Sequence, residues 1–187
     1  MEFMWKQCFP VNGRRDFSMN KKMIVASDSG GGIGYQGRLL FHLPKDMRRF
    51  RELTTGHIVV MGRKTAESLP EGKPLSERIN ILLTKQPDYK RKGFIVCHSK
   101  EEAEKRLQKL VAKTGSDVFI IGGEEIYRLY LKEVDTIYLT KVYTKRTVDT
   151  WFPDFKQTGE WEVVGQSSIY RENDVEFSFF TYVKKRN

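Results

Sequence analysis

Five short apolar runs, Met23-Ile24-Val25-Ala26, His57-Ile58-Val59-Val60-Met61, Ile79-Asn80-Ile81-Leu82-Leu83, Phe94-Ile95-Val96-Cys97 and Val118-Phe119-Ile120-Ile121, alternate with amphipathic stretches and limit the fold more than any other feature. Each has strand length and β-branched content, the pattern of a parallel strand buried on both faces. Between them the spacing predicts helices over Pro44 to Leu53, Thr65 to Leu69, Ser99 to Lys113 and Glu124 to Leu131, the third opening on a Ser99-x-x-Glu102 capping box. After Asp135 the character changes to Thr136 to Thr140, Trp161 to Val164 and Phe177 to Val183, which alternate or are aromatic-rich and have no helix between them. The expected fold is α/β: a single mixed, mostly parallel sheet with helices on both faces and an antiparallel C-terminal edge.

A chain of 187 residues suits one domain. Residues 1–22 stand apart, with weak periodicity and polar punctuation at Asn12-Gly13-Arg14-Arg15-Asp16, and are expected to be an N-terminal extension ahead of a domain over 23–187. An upstream start, an expression remnant and a docking arm all fit it. A secretory signal would need a longer apolar core and a small-residue cleavage site than Phe9-Pro10-Val11-Asn12 supplies.

The 33 Lys and Arg against 24 Asp and Glu leave a net charge of +9, which calls for an anionic partner. The cations are interleaved with acids, as over Lys100 to Arg106, in the manner of a solvated helix face rather than a nucleic-acid-binding block. A phosphorylated cofactor with a carboxylated substrate answers the charge equally well. Cys8 and Cys97 make no disulfide framework and point to a reducing compartment, and no apolar run is long enough for a membrane-spanning helix. His42, His57 and His98 are dispersed, so no metal is expected, and Ser68 has no nucleophile-elbow context.

Two glycine-rich stretches imitate nucleotide motifs. Gly32 opens a G-x-G-x-x-G pattern after the first strand, but Arg38 to Pro44 is too short and apolar to be the helix a dinucleotide fingerprint needs. The run from Gly30 to Gly37 is expected to be a flexible loop over a site. Gly56 to Thr65 misses the P-loop spacing by one residue. What remains is a buried strand ending at Gly62, followed by Arg63, Lys64 and Thr65 where a helix begins, and a second strand delivering Gly122 and Gly123 ahead of Glu124. Each alone could be surface charge or a tight turn. Together they suggest a ligand with several phosphates lying across the C-terminal edge of the sheet.

In Leu43-Pro44-Lys45-Asp46-Met47-Arg48-Arg49-Phe50, Pro44 suits a first helical turn, and Asp46 falls on the side of Phe50 and Leu53. A carboxylate on an apolar face needs a partner. It is either a ligand-binding group or a first-turn acid serving the helix dipole or pairing with Arg49.

In order and spacing these motifs resemble the dihydrofolate reductase family over essentially Met23 to Lys185. The resemblance is carried by Ile33-Gly34, Leu43-Pro44-x-Asp46-Met47-x-x-Phe50, Val60-Met61-Gly62-Arg63-Lys64-Thr65-x-x-Ser68, Ile121-Gly122-Gly123-x-x-Ile126-Tyr127, Thr140 and Phe152-Pro153. It implies an oxidoreductase that moves a hydride from NADPH to 7,8-dihydrofolate, giving 5,6,7,8-tetrahydrofolate for one-carbon metabolism. Dihydrofolate and antifolate-type small molecules would be its ligands, and it would act as a cytoplasmic monomer requiring neither nucleic acid nor membrane. Asp46 would be the catalytic carboxylate, hydrogen-bonded by Thr140. Ala26, Met47, Phe50, Leu69, Leu75 and Ile121 would line the folate pocket, with Arg78 on the glutamate carboxylate. Gly62, Arg63, Lys64, Thr65, Thr84 and Lys85 would surround the adenosine phosphates, and Ala26, Ile33, Gly34, Gly122, Gly123 and Tyr127 the nicotinamide half, with the Gly122-Gly123 peptide cis. Phe41 stands where a tryptophan is usual, Leu40 where a proline is frequent, and Glu125 where some relatives place an arginine. A related reductase acting on another pteridine-like or riboflavin-precursor substrate is the competing enzyme, disfavoured by Asp46 after Leu43-Pro44. A basic nucleic-acid-binding module is the competitor from another class, disfavoured by aromatics that alternate like sheet-core residues.

Overall fold

The structure, a computed structural model, describes residues 19–185. In chain order its strands are β1 (Lys21–Ser27), β2 (Gly32–Tyr35), β3 (Arg38–Leu39), β4 (Ile58–Gly62), β5 (Ile79–Leu83), β6 (Ile95–Cys97), β7 (Val118–Gly122), β8 (Thr136–Val142), β9 (Thr150–Trp151), β10 (Trp161–Gln166), β11 (Tyr170–Glu172) and β12 (Val175–Lys184). Its helices are α1 (Pro44–Thr54), α2 (Arg63–Ser68), α3 (Lys100–Thr114) and α4 (Glu124–Tyr130). The main sheet runs β6-β5-β4-β7-β1-β8-β12-β10, with β11 paired to β12. Strands β6 to β8 in that order are mutually parallel, and β12, β10 and β11 pair antiparallel.

Because successive side chains point to opposite faces, the doubly apolar strands feed two cores. Met23, Val25, Val60 and Ile120 join α3 and α4 through Leu107, Val111, Ile126 and Tyr130 on one face. Ile24, Val59, Met61 and Phe119 meet Phe50, Leu53 and Ala66 of α1 and α2 on the other. Each such side chain is worth about 1.5–3 kcal/mol when fully buried, so polar alternation in these strands would be costly. Helix α3 begins where its capping box predicts: Glu102 N donates to Ser99 Oγ at 3.1 Å, and the Glu102 carboxylate accepts from His98 N at 2.9 Å.

Three local features differ from the sequence expectations, the first two for tertiary reasons. Strand β1 starts at Lys21, so the sheet takes in two residues that the sequence assigned to the extension; residues 1–18 of that extension lie outside the described residues. Lys21 is 5% exposed and bonds Glu104 Oε2 at 2.8 Å and Glu133 Oε2 at 2.6 Å, while Lys22 meets Asp117 at 2.6 Å. The expected loop over Gly30 to Gly37 is in part a strand, β2, in a small β3-β2-β9 sheet. The buried Asp28 carboxylate gathers that turn, accepting from Gly30 N and Gly32 N at 2.8 Å and from Arg146 N at 3.0 Å. A Cβ at Gly32 would collide with Val148, so the glycine there serves close packing. Finally, α2 begins at Arg63, two residues ahead of the expected Thr65.

Candidate active site

Pro44 opens α1, and Leu43, a residue only 2% exposed, accepts the Met47 backbone N–H at its carbonyl at 2.9 Å. That anchor sets the first turn against β8. Thr140, buried on β8 and opposite Ala26 of β1, donates its hydroxyl to Asp46 Oδ1 at 2.6 Å. Burial pushes the Asp46 carboxyl above the usual carboxylate value, with Glu172 adding to the rise; the Thr140 hydrogen bond and the Arg49 charge act against it. Among the described residues Asp46 and Arg49 form no ion pair. Arg49 instead lies over the rings of Phe179 and Tyr138, 4.6 and 5.4 Å from their centres.

From this turn α1 crosses the sheet toward β5, where Arg78 Nε donates to Thr54 Oγ1 at 3.3 Å. Along the way Phe50, Leu69, Leu75 and Ile121 gather, partly exposed, against the core of Ile24, Val59, Met61, Ala66, Leu82 and Phe119. Met47 precedes Phe50 by three residues on the same helix and is 40% exposed. Burial and the neighbouring Arg51 both pull the Arg78 guanidinium below its ordinary value, against Glu77, so two cations stand together at the far end of the cleft. Half-buried apolar side chains therefore lie between the Asp46 carboxylate and the Arg51 and Arg78 cations.

Strands β7, β4 and β5 are neighbours and end side by side at Gly122, Gly62 and Leu83. A Cβ on Gly62 would lie 3.9 Å from Gly123 N, and one on Gly123 would lie 3.4 Å from Thr65 Oγ1, so the two glycine turns abut. The Gly122-Gly123 peptide is cis, as expected. No side chain caps α2 or α4. Lys64 and Lys85 are exposed and Thr65 and Thr84 half-buried at this edge. Arg63 is engaged, its Nη1 donating to both carboxylate oxygens of Glu67 at 3.0 and 2.9 Å. Gly34 pairs with Thr150 in the small sheet. Ile33 and Tyr127 are core residues, 8% and 3% exposed, and the Tyr127 hydroxyl donates to the Ile24 carbonyl at 2.8 Å.

Several organising residues escaped the sequence expectations. Asn80 is 3% exposed and holds Leu75 through its backbone N–H and carbonyl at 3.0 and 2.9 Å; its place inside an apolar run was the available signal. Asp28 before three glycines was a turn signal, and Glu67 four residues after Arg63 was a helix-pair signal.

The family model described as "Dihydrofolate reductase" matches residues 21–184. A dihydrofolate reductase of Staphylococcus aureus (strain Mu50 / ATCC 700699) is 33% identical over 170 residues, covering 90% of this chain and 100% of the relative. One from Bacillus subtilis (strain 168) is 32% identical over 166 residues, covering 88% and 94%. Among solved structures, dihydrofolate reductase from Enterococcus faecalis complexed with NADP(H) and RAB-propyl superposes with a TM-score of 0.78 at 30% identity, over 91% of this chain and 99% of that one.

Proposed function

This chain belongs to the dihydrofolate reductase family and transfers a hydride from NADPH to 7,8-dihydrofolate to give tetrahydrofolate; from that premise we propose how its own residues divide the work. The observation that carries the proposal is the Asp46 carboxylate, held by the Thr140 hydroxyl at 2.6 Å at the head of an apolar cleft. An ionised carboxylate is a paired acceptor for the amino group and adjacent ring N–H of a pterin. It also stabilises the positive charge that develops on the ring, favouring proton delivery to N5.

Ala26, Met47, Phe50, Leu69, Leu75 and Ile121 exclude water from the pterin and benzoyl rings. Arg78 grips the glutamate carboxylate, a planar fork matched to it, and the adjacent Arg51 charge reinforces that end of the cleft.

The strand ends fit a dinucleotide. Gly62 and Gly123 abut without side chains, leaving room for close approach. Arg63, Lys64, Thr65, Thr84 and Lys85 would hold the adenosine phosphates, and Ala26, Ile33, Gly34, Gly122, Gly123 and Tyr127 would frame the nicotinamide, Tyr127 and Ile33 by supporting the wall from the core. NADPH, when bound, supplies the hydride. The solved Enterococcus faecalis relative, complexed with NADP(H), supports that choice.

The protein is further taken to be a cytoplasmic monomer, needing neither nucleic acid nor membrane. The buried, free Cys97 suits a reducing compartment, and among the described residues no helix is long and apolar enough to cross a membrane. Light scattering behind size exclusion tests the monomer. Spectrophotometry tests the reaction and its rivals: NADPH oxidation should require dihydrofolate. Turnover only with another pteridine-like or riboflavin-precursor substrate would favour the related reductase, and salt-sensitive DNA binding without turnover would favour the nucleic-acid module.

A further inference from the structure

Arg49 is a cation that the reaction above leaves unused. It follows Asp46 by three residues on α1, nearly one turn, so the two side chains project over the same region of the sheet. There the register of β8 and β12 sets Thr140 opposite Phe179, and Tyr138, two residues before Thr140, shares their face. Asp46 rests on Thr140, and the Arg49 guanidinium rests on Phe179 and Tyr138. Carboxylate and guanidinium therefore stand over adjoining side chains.

Among the described residues no carboxylate pairs with Arg49 directly. Its Nη2 reaches the Phe180 carbonyl at 3.4 Å, a bond beyond the usual range, and its buried Nη1 has no acceptor. Aromatic faces hold a guanidinium without cancelling its charge. That charge acts in a medium less polar than water, where attraction to an anion is stronger. The other charged or titratable groups around Asp46 are Lys45 of α1, Glu172 of β11, Tyr138 of β8 and Tyr127 of α4. Lys45 is engaged with Glu172 at 3.7 Å. Arg49 is thus the member of this set whose positive charge has no counter-ion of its own.

We propose that Arg49, held over the rings of Phe179 and Tyr138, is a positioning residue whose unneutralised guanidinium keeps the Asp46 carboxylate ionised among the apolar side chains around it. This rests on Asp46 being the pterin-binding carboxylate. Burial favours the neutral acid, which would donate where the pterin needs an acceptor. The Arg49 charge opposes that tendency while leaving both Asp46 oxygens unblocked by a direct salt bridge.

The test is a carbon-13 NMR titration of the Asp46 carboxyl in the unliganded full chain, assigned by its absence in Asp46→Asn. Arg49→Met and Arg49→Gln remove the charge, and Arg49→Lys restores it. The midpoint should rise by about one pH unit in the two uncharged variants, a tenfold change in proton affinity. In Arg49→Lys it should stay within about a third of a unit of the unaltered protein. An unmoved midpoint in the uncharged variants, or an equal rise in Arg49→Lys, overturns the proposal. Loss of cooperative melting in both uncharged variants with retention in Arg49→Lys would assign Arg49 to packing and overturn it as well. The titration needs no turnover, so it is separable from the reading beneath it: an Asp46→Asn enzyme with full activity would remove Asp46 from the reaction yet leave the Arg49 result standing.

Discussion

Glu67 holds Arg63 through both carboxylate oxygens, at 3.0 and 2.9 Å, and also accepts from Tyr89 at 3.2 Å. The cation assigned to the cofactor phosphate is therefore shared with an acid four residues along the same helix. Both partners are partly exposed, and such a pair is worth about 0.2–1 kcal/mol. Glu67→Gln should release Arg63 and tighten NADPH by about two- to fivefold, most at low salt, with little change for NADH. Fluorescence titration with both cofactors checks it; equal tightening of the two would detach Arg63 from the extra phosphate.

Lys64, whose charge helps hold the Asp149 carboxyl low, and Lys85 form no ion pair of that kind among the described residues and are exposed at the same edge. Charge-assisted hydrogen bonds contribute on the order of 1.5–3 kcal/mol each, so Lys64→Ala and Lys85→Ala should weaken NADPH by roughly tenfold or more and leave NADH nearly unchanged. Equal losses for both cofactors would mean that these lysines meet only the shared pyrophosphate.

Asp46→Asn keeps shape and removes charge, and dihydrofolate turnover should fall by about a hundredfold, roughly 2.7 kcal/mol of transition-state stabilisation. The unliganded protein should respond in the opposite sense. Burial lifts the Asp46 carboxyl above its ordinary value, so the native state binds that proton more tightly than the unfolded chain does. The stability this contributes is present in acid and is lost as pH rises through the native value, leaving an ionised cost at neutral pH. Asp46→Asn should therefore melt higher than the unaltered protein at pH 7.5, with the gap narrowing toward pH 4. A gap that widens on acidification contradicts the assigned direction.

Chain starts on either side of Lys21 should behave differently. A variant beginning at Met19 keeps the ion pairs of Lys21 with Glu104 and Glu133, whereas one beginning at Met23 leaves both acids without that lysine. The two acids keep 22% and 36% of their side-chain surface exposed and Glu133 retains Lys100, so thermal melting should show a loss of about 1–3 kcal/mol for the Met23 start and little for Met19. Equal melting of the two would show that the Lys21 cluster contributes nothing.

Gly122 has φ +110, and a Cβ there would sit 3.0–3.2 Å from the Tyr127 ring and hydroxyl. Tyr127 cannot easily yield, because its hydroxyl is bonded to Ile24 and its ring packs on Phe152 at 4.8 Å. Gly122→Ala should cost about 1–3 kcal/mol and weaken NADPH, read by denaturant unfolding and cofactor titration. An alanine that leaves both unchanged would show that the turn relaxes freely.

The doubly apolar strands, the glycine-terminated strand ends, the Ser99 cap and the single acid on the apolar side of Pro44 to Leu53 were all legible in the amino-acid order. These features depend on periodicity and on local backbone chemistry, which a few neighbouring residues contain in full. Because parallel strands must be covered on both faces, the same pattern also determined the layered architecture and the sheet edge on which a ligand could lie. The tertiary structure alone decided that Lys21 and Lys22 enter β1, since the carboxylates that make burial of Lys21 tolerable come from Glu104 and Glu133, far along the chain. It also decided that the glycine run becomes a strand, through Asp28 and its bond from Arg146. Arg49 is the sharpest case. Helical spacing offered it to Asp46 as a salt-bridge partner, but Phe179 and Tyr138, brought together by the pairing of β12 with β8, hold its guanidinium over aromatic faces instead. A side chain's nearest sequence neighbour is only one competitor for its charge, and packing across the sheet determines which competitor prevails.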